Sequence, residues 1–293
     1  MHPAPSIILF TILSGFGFGV ITWIGILQYF SMVSSLEVIS FSILGGFFAV
    51  IGLISSTFHL ANKKNAIKSF SQWRSSWLSR EAVASVICLV FVFSNIVFVY
   101  FGIYNFLLAG LMASLFSVIT VFTTSMIYTQ LRAIPAWNTV LTPLIFLFSS
   151  VVGAAILLKP EYALYGLVLL LAVQLLFWIY NDQLVKNMKT NISTALGFTQ
   201  KSSIRSFDKA HTNQNYLLNE MVYKIGRKHS KRLRYLSVFF SILIPTIIIF
   251  FLSSDSYLAG SLLSATHLLG MYFSRWLFFA EAKHVVSFYY DEP

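Results

Sequence analysis

Apolar residues run along this chain in long uninterrupted blocks, without the alternation of a half-buried strand or the single apolar stripe of a surface helix. Crossing the hydrocarbon core of a bilayer takes roughly 20 apolar residues in helical form. Eight blocks qualify, at residues 7–30, 39–60, 81–101, 105–129, 138–158, 162–180, 235–252 and 256–279. They are too long and too continuous for the alternating strands of a membrane barrel, and in lipid only helices or closed barrels satisfy the backbone. The pattern predicts an all-α integral membrane protein, a bundle of eight transmembrane helices. We expect one membrane domain over residues 1–293, with a single basic insertion at 181–234. The opening MHPAPSIILF lacks a basic leader region and a cleavage site, so the first block reads as a retained span.

Composition agrees. Of 293 residues, 57% are hydrophobic and 10% charged, with a mean hydropathy of +0.76; a soluble domain carries about 25% charged residues. Threading through the eight blocks puts 19 of the 20 Lys and Arg on one side and leaves Lys159 alone on the other. By the positive-inside rule that side is cytoplasmic, with both termini on it, in a bacterial inner membrane. The net charge of +10 then records topology, and nucleic acid is not expected as a partner. Connections on the opposite side are too short to form a receptor domain. Within the insertion, Leu217, Leu218, Met221, Val222 and Ile225 fit one face of a cationic helix lying on the membrane surface over Asn215 to Arg234. Gly15 and Gly19 in the first block, with Gly45 and Gly46 in the second, permit close helix approach.

Ionisable groups are costly in lipid and mark functional positions. Here they gather at the cytoplasmic ends of the blocks: His59, Arg80 and Glu81, Tyr128 and Arg132, then Arg275, Glu281, Lys283 and His284. A quinone site needs an apolar slot, a polar group at each carbonyl, and a proton acceptor for quinol oxidation. His59 and Glu81 supply the acceptors and are the candidate catalytic residues. Arg80, Tyr128, Arg132 and Trp137, with Trp73 and Trp77, are candidates for holding the ring. The plainer readings stand beside this one: Trp and Tyr as interfacial anchors, Arg80 with Glu81 as a snorkelling pair, and Ser79 as a helix cap. His267 sits in mid-block and can satisfy itself on a neighbouring helix. Its depth does not match that of His59, so no haem is expected, and the single Cys88 excludes a thiolate-held metal or iron–sulfur site within this chain. No nucleotide-, metalloprotease- or serine-hydrolase motif occurs. A secondary transporter and a b-type cytochrome subunit are the rivals from other classes. Pro245 is the one interruption of the broken-helix kind that transporters use.

The HPAPSIILFTILSG opening, STFHL followed by SQWRSSWLSRE, IYTQLRAIPAWN, HTNQNYLLNEM with the basic GRKHSKRLR, and THLLG with RWLFFAEAKHV occur in order along nearly the whole chain. In these features the sequence resembles the membrane-anchor subunits of DMSO-reductase-type molybdoenzymes, and equally the anchors of sulfite-oxidising complexes. The resemblance implies a non-catalytic partner of an iron–sulfur electron-transfer subunit and of a catalytic subunit carrying molybdopterin. Such an anchor exchanges electrons with menaquinol or another quinone of the membrane pool, in anaerobic-type respiration or in sulfite oxidation. The family's quinol-site histidine and acidic residue carry over to His59 and Glu81.

Overall fold

A computed structural model describes residues 4–58, 63–103, 106–187, 229–252 and 257–283. Among the described residues the chain forms eight helices and a short 3-10 stretch, Lys63–Phe70, with no strand. The helices are α1 (Pro5–Tyr29), α2 (Ser35–Thr57), α3 (Trp77–Tyr100), α4 (Phe106–Thr129), α5 (Leu141–Leu158), α6 (Pro160–Asn187), α7 and α8 (Tyr257–Ala280). The α7 helix is built of Ser230–Val238, a π-helical turn Phe239–Leu243, and Ile244–Leu252.

Local chemistry sets the ends. Pro5 and Pro160 occupy first turns, where a missing N–H costs nothing. A capping box opens α2: Ser34 Oγ accepts from the Glu37 amide while Glu37 Oε2 accepts from the Ser34 amide at 2.7 Å. Several helices overrun the apolar blocks that predict them. The third begins at Trp77 and not at 81, the sixth runs to Asn187 and the seventh starts at Ser230, because helical hydrogen bonding continues past the edge of the apolar run. The expected surface helix falls at 215–228 outside the described residues. Its last residues belong to α7.

Seven helices, α1 to α6 and α7 taken as Ser230–Phe251, are long and apolar enough to cross a membrane. The eighth, α8, has 24 residues but carries Ser264, His267, Ser274 and Arg275, all buried inside the bundle. The protein is a multi-pass membrane protein.

The hub is α1, which packs on α2, α4, α5 and α8; α3 lies on α4, α6 on α5, and α7 on α8. Without a hydrophobic drive between helices in lipid, small residues and interhelical hydrogen bonds supply the contacts. A Cβ at Gly17 would strike the α2 backbone at Gly45 and Ala49, and one at Gly25 would strike α4 at Gly110 and Ser114. The glycine expectation changes accordingly. Gly19 and Gly45 do sit at contacts, but Gly15 and Gly46 face open space, and Gly17, Gly25 and Gly52 bear the closest approaches. Polar ties run between helices: Thr22 with Ser117 at 2.8 Å, Trp23 Nε1 to the Val151 carbonyl at 2.9 Å, and the Gln28–Asn95 amide pair. Phe47, Phe93 and Phe250 point outward, where lipid meets them. One end of the bundle brings together Ser6 with Ser55, Trp137 with Phe278, and Arg234 with Asp182 and Glu281. At the other, Tyr257 donates to Glu37.

Candidate functional site

The end that holds Arg234 and Trp137 carries the polar chemistry. Glu81, in the first turns of α3, is 3% exposed. Its carboxylate meets the Thr124 hydroxyl of α4, and that hydroxyl also lies 2.9 Å from the Thr120 carbonyl. One hydroxyl proton serves one acceptor at a time. An ionised Glu81 therefore takes the Thr124 proton, whereas a protonated Glu81 donates to Thr124 while that hydroxyl turns to Thr120. The pair accommodates both protonation states without moving a helix.

One turn beyond Thr124, the Tyr128 ring is boxed by Trp137, Phe146, Phe278 and Phe279, with centroids 5.4 to 5.6 Å away. Trp137 is buried. It stacks on Phe278 at 5.2 Å and 9° and donates Nε1–H to the Phe278 carbonyl at 2.8 Å, fixing the loop between α4 and α5 to the end of α8. It is a packed core residue and no interfacial anchor. Tyr128 is within electrostatic reach of both Glu81 and Arg275.

Of the six sequence candidates, Glu81, Tyr128 and Trp137 gather in this cluster, and His59 lies outside the described residues. Arg80 turns away from Glu81: its guanidinium donates to the Trp73 carbonyl at 3.1 Å and the Arg74 carbonyl at 2.7 Å, and lies over the Trp77 ring. Those bonds clamp the segment leading into α3, so the suggested Arg80–Glu81 pair is not formed. Arg132 is exposed on the loop after α4, away from the box. Ser79 is buried inside α3, and Ser76 holds the cap position.

Two groups stand here that sequence reasoning did not carry into the site. Arg275 of α8 is 2% exposed, bonded to Ser149 Oγ and laid on the Phe146 ring. Its signal was an arginine inside the apolar run GMYFSRWLFFA. The second is Arg234 of α7, which forks onto both Asp182 oxygens at 2.7 and 2.8 Å and reaches Glu281 at 3.0 Å, so that α6, α7 and α8 are tied at one point. No spacing in the sequence links these three residues. Burial raises the Glu281 carboxyl above its usual range, and the opposing pull of Arg234 does not restore it. Beside this network lies a pocket of about 480 Å³, walled by Phe177 and Phe278 and edged by Asn181, Arg234 and Glu281. Phe278 is shared with the Tyr128 box, so pocket and cluster adjoin. The pocket's size falls within the range of roughly 300–1,000 Å³ typical of small-molecule sites.

These features define a polytopic helical membrane protein whose chemistry sits at one end of the bundle, where its buried acid, aromatic box and open pocket meet. The family model of the DMSO reductase anchor subunit (DmsC) matches residues 1–280, and the chain belongs to that family. It is also similar to a sulfite dehydrogenase subunit of Allochromatium vinosum, with 28% identity over 328 aligned residues that cover 99% of each chain. As an anchor subunit of a molybdoenzyme complex, it associates with catalytic and electron-transfer subunits.

Proposed function

We propose that this chain is the quinone-exchanging membrane anchor of its complex, passing electrons between the quinone pool and an iron–sulfur subunit that docks on the polar end of the bundle. The assembly is completed by a molybdopterin subunit. All eight helices cross a bacterial inner membrane with both termini in the cytoplasm; α8 is the eighth span, its polar side turned to α1, α5 and α7 and not to lipid. The observation that carries the reading is Glu81, a carboxyl buried at the start of a span and poised on Thr124 to hold or release a proton. Quinone redox chemistry moves a proton with each electron, and such a group is its natural partner. His59 is the second proton carrier, Tyr128 and Trp137 build the aromatic wall, and the pocket beyond Phe278 receives the ring. Arg80 and Arg132 are left to packing and topology.

In a reductase of the DMSO type, electrons leave menaquinol for the iron–sulfur subunit. The similarity to a sulfite dehydrogenase subunit favours the opposite direction, from sulfite to quinone.

The test is Glu81→Gln in the assembled complex in membranes. Quinone-linked turnover is expected to fall by about 10²-fold or more, whereas turnover with a soluble dye that bypasses the anchor stays at the wild-type level. Unchanged quinone-linked turnover would remove Glu81 from the mechanism. Running both assays with sulfite and with DMSO decides the direction.

A further inference from the structure

Arg275 presents a problem that the quinone reading leaves unsolved. Its guanidinium is 2% exposed within the bundle, and only one terminal nitrogen has a hydrogen-bond partner, Ser149 Oγ at 2.9 Å. Nε and Nη1 have none. The Phe146 ring, 3.6 Å from the guanidinium carbon, covers one face and offsets part of the charge. A full positive charge in this low-dielectric setting still calls for a counter-charge.

No carboxylate among the described residues provides one. Glu81 is engaged by Thr124, Asp182 and Glu281 by Arg234, and Glu37 by Tyr257 and Ser34 at the far end of the bundle, while Glu161 is exposed in the first turn of α6. Instead, Arg275 lines a cavity of about 10 Å³ between α1, α5 and α8, together with Thr11, Gly15, Ser149, Ser150, Leu268 and Met271. That volume corresponds to about one water-sized occupant.

The chemistry of the lining discriminates between occupants. Two guanidinium N–H groups are unspent, and the hydroxyls of Thr11, Ser149 and Ser150 now donate to helix carbonyls at 3.0, 3.0 and 2.5 Å, from which they can rotate. The lining is rich in donors and has no anionic acceptor. A water would accept from Arg275 but bring no charge, and its own two protons would need acceptors. A monatomic anion needs donors alone and cancels the charge. We propose that this cavity is a halide site, with chloride the occupant in the cell, and that Arg275 Nε–H and Nη1–H are its principal ligands. The site stands apart from the proposed quinone chemistry and does not depend on it.

The experiment uses the purified complex in detergent. Thermal midpoints are measured in sodium chloride, sodium bromide and sodium gluconate at equal ionic strength, so that general screening is held constant. The midpoint is expected to rise with chloride or bromide concentration and to saturate, as a ligand of the folded state requires. Gluconate is expected to give no rise, and Arg275→Met to abolish the halide effect. Thr11→Val is expected to weaken it by shifting the half-saturating concentration upward. A bromide-soaked crystal of the wild-type complex is expected to show one anomalous peak beside the guanidinium, a readout that holds even if Arg275→Met does not assemble. Equal midpoints in chloride and gluconate, with a non-anomalous peak or none in the cavity, would overturn the proposal and leave a water site only.

Discussion

Glu281 and Glu81 are two acids in similar positions, each at a helix end, yet their surroundings give them different work. Glu81 faces a hydroxyl that donates to it or accepts from it, so its proton is exchangeable in place. Glu281 faces a fixed cation, Arg234, and its carboxyl is nevertheless raised above 4.5 because burial outweighs the ion pair. A raised acid keeps its proton in the folded protein at pH values where the unfolded chain has lost it. Its contribution to stability is therefore present at the acidic side of that window and is lost as pH rises from about 4.5 through the raised value. We expect the thermal midpoint of the complex to fall across that range, and Glu281→Gln, which keeps an oxygen for Arg234, to flatten the slope. An unchanged slope in the variant would assign the titration to another group. The sequence displayed both acids, and their different roles came from residues 43 and 47 positions away, Thr124 and Arg234.

The element that most departs from regularity is α7. Pro245 has no N–H to give the Ser241 carbonyl, and the chain passes Phe239–Leu243 as a π turn. His267 of α8 takes up the orphaned carbonyl with Nδ1 at 2.7 Å, so this nitrogen carries a proton, and Nε2 lies near the Ser149 carbonyl without bonding it well. The two irregularities, one proline and one mid-span histidine, are a single device. Removing the imidazole with His267→Ala is expected to cost about 1–3 kcal/mol through the unpaired buried carbonyl. In a Pro245→Ala background the restored N–H takes that carbonyl, and the cost of His267→Ala is expected to shrink. Additive losses in this double-mutant cycle, read by thermal or denaturant unfolding of the purified complex, would argue that the proline and the histidine are independent. Glycine contacts supply the second expectation at this scale. Gly17→Val puts side-chain atoms onto the α2 backbone and is expected to lower stability by at least about 1–3 kcal/mol. Gly46→Val meets open space and is expected to change little. Both glycines look alike in the sequence, since close approach depends on which face of the helix meets a neighbour.

For the whole molecule, the even number of helices returns the chain to the end where it begins, and nearly all its Lys and Arg fall at that end. A reporter fused after Pro293 is expected to be active in its cytoplasmic form; activity only on the outer side would reverse the orientation. The number, type and order of the helices were legible because each apolar block is a local property, fixed by the 20 or so residues that must match the bilayer. Charge placement was legible for the same reason, since a loop's composition does not depend on its neighbours. The sequence by itself thus determined a helical membrane bundle with polar chemistry at one end, and its ordered motifs pointed to the anchor family. Tertiary structure alone decided which polar residues meet. It turned Arg80 onto backbone carbonyls, left Arg132 outside, buried Trp137 in the core, and drew Arg275, Arg234 and Thr124 to the places that matter. The physical reason is that a buried charge or hydrogen bond is set by the partner across a helix–helix contact, often more than 100 residues away, as Arg275 is from Ser149.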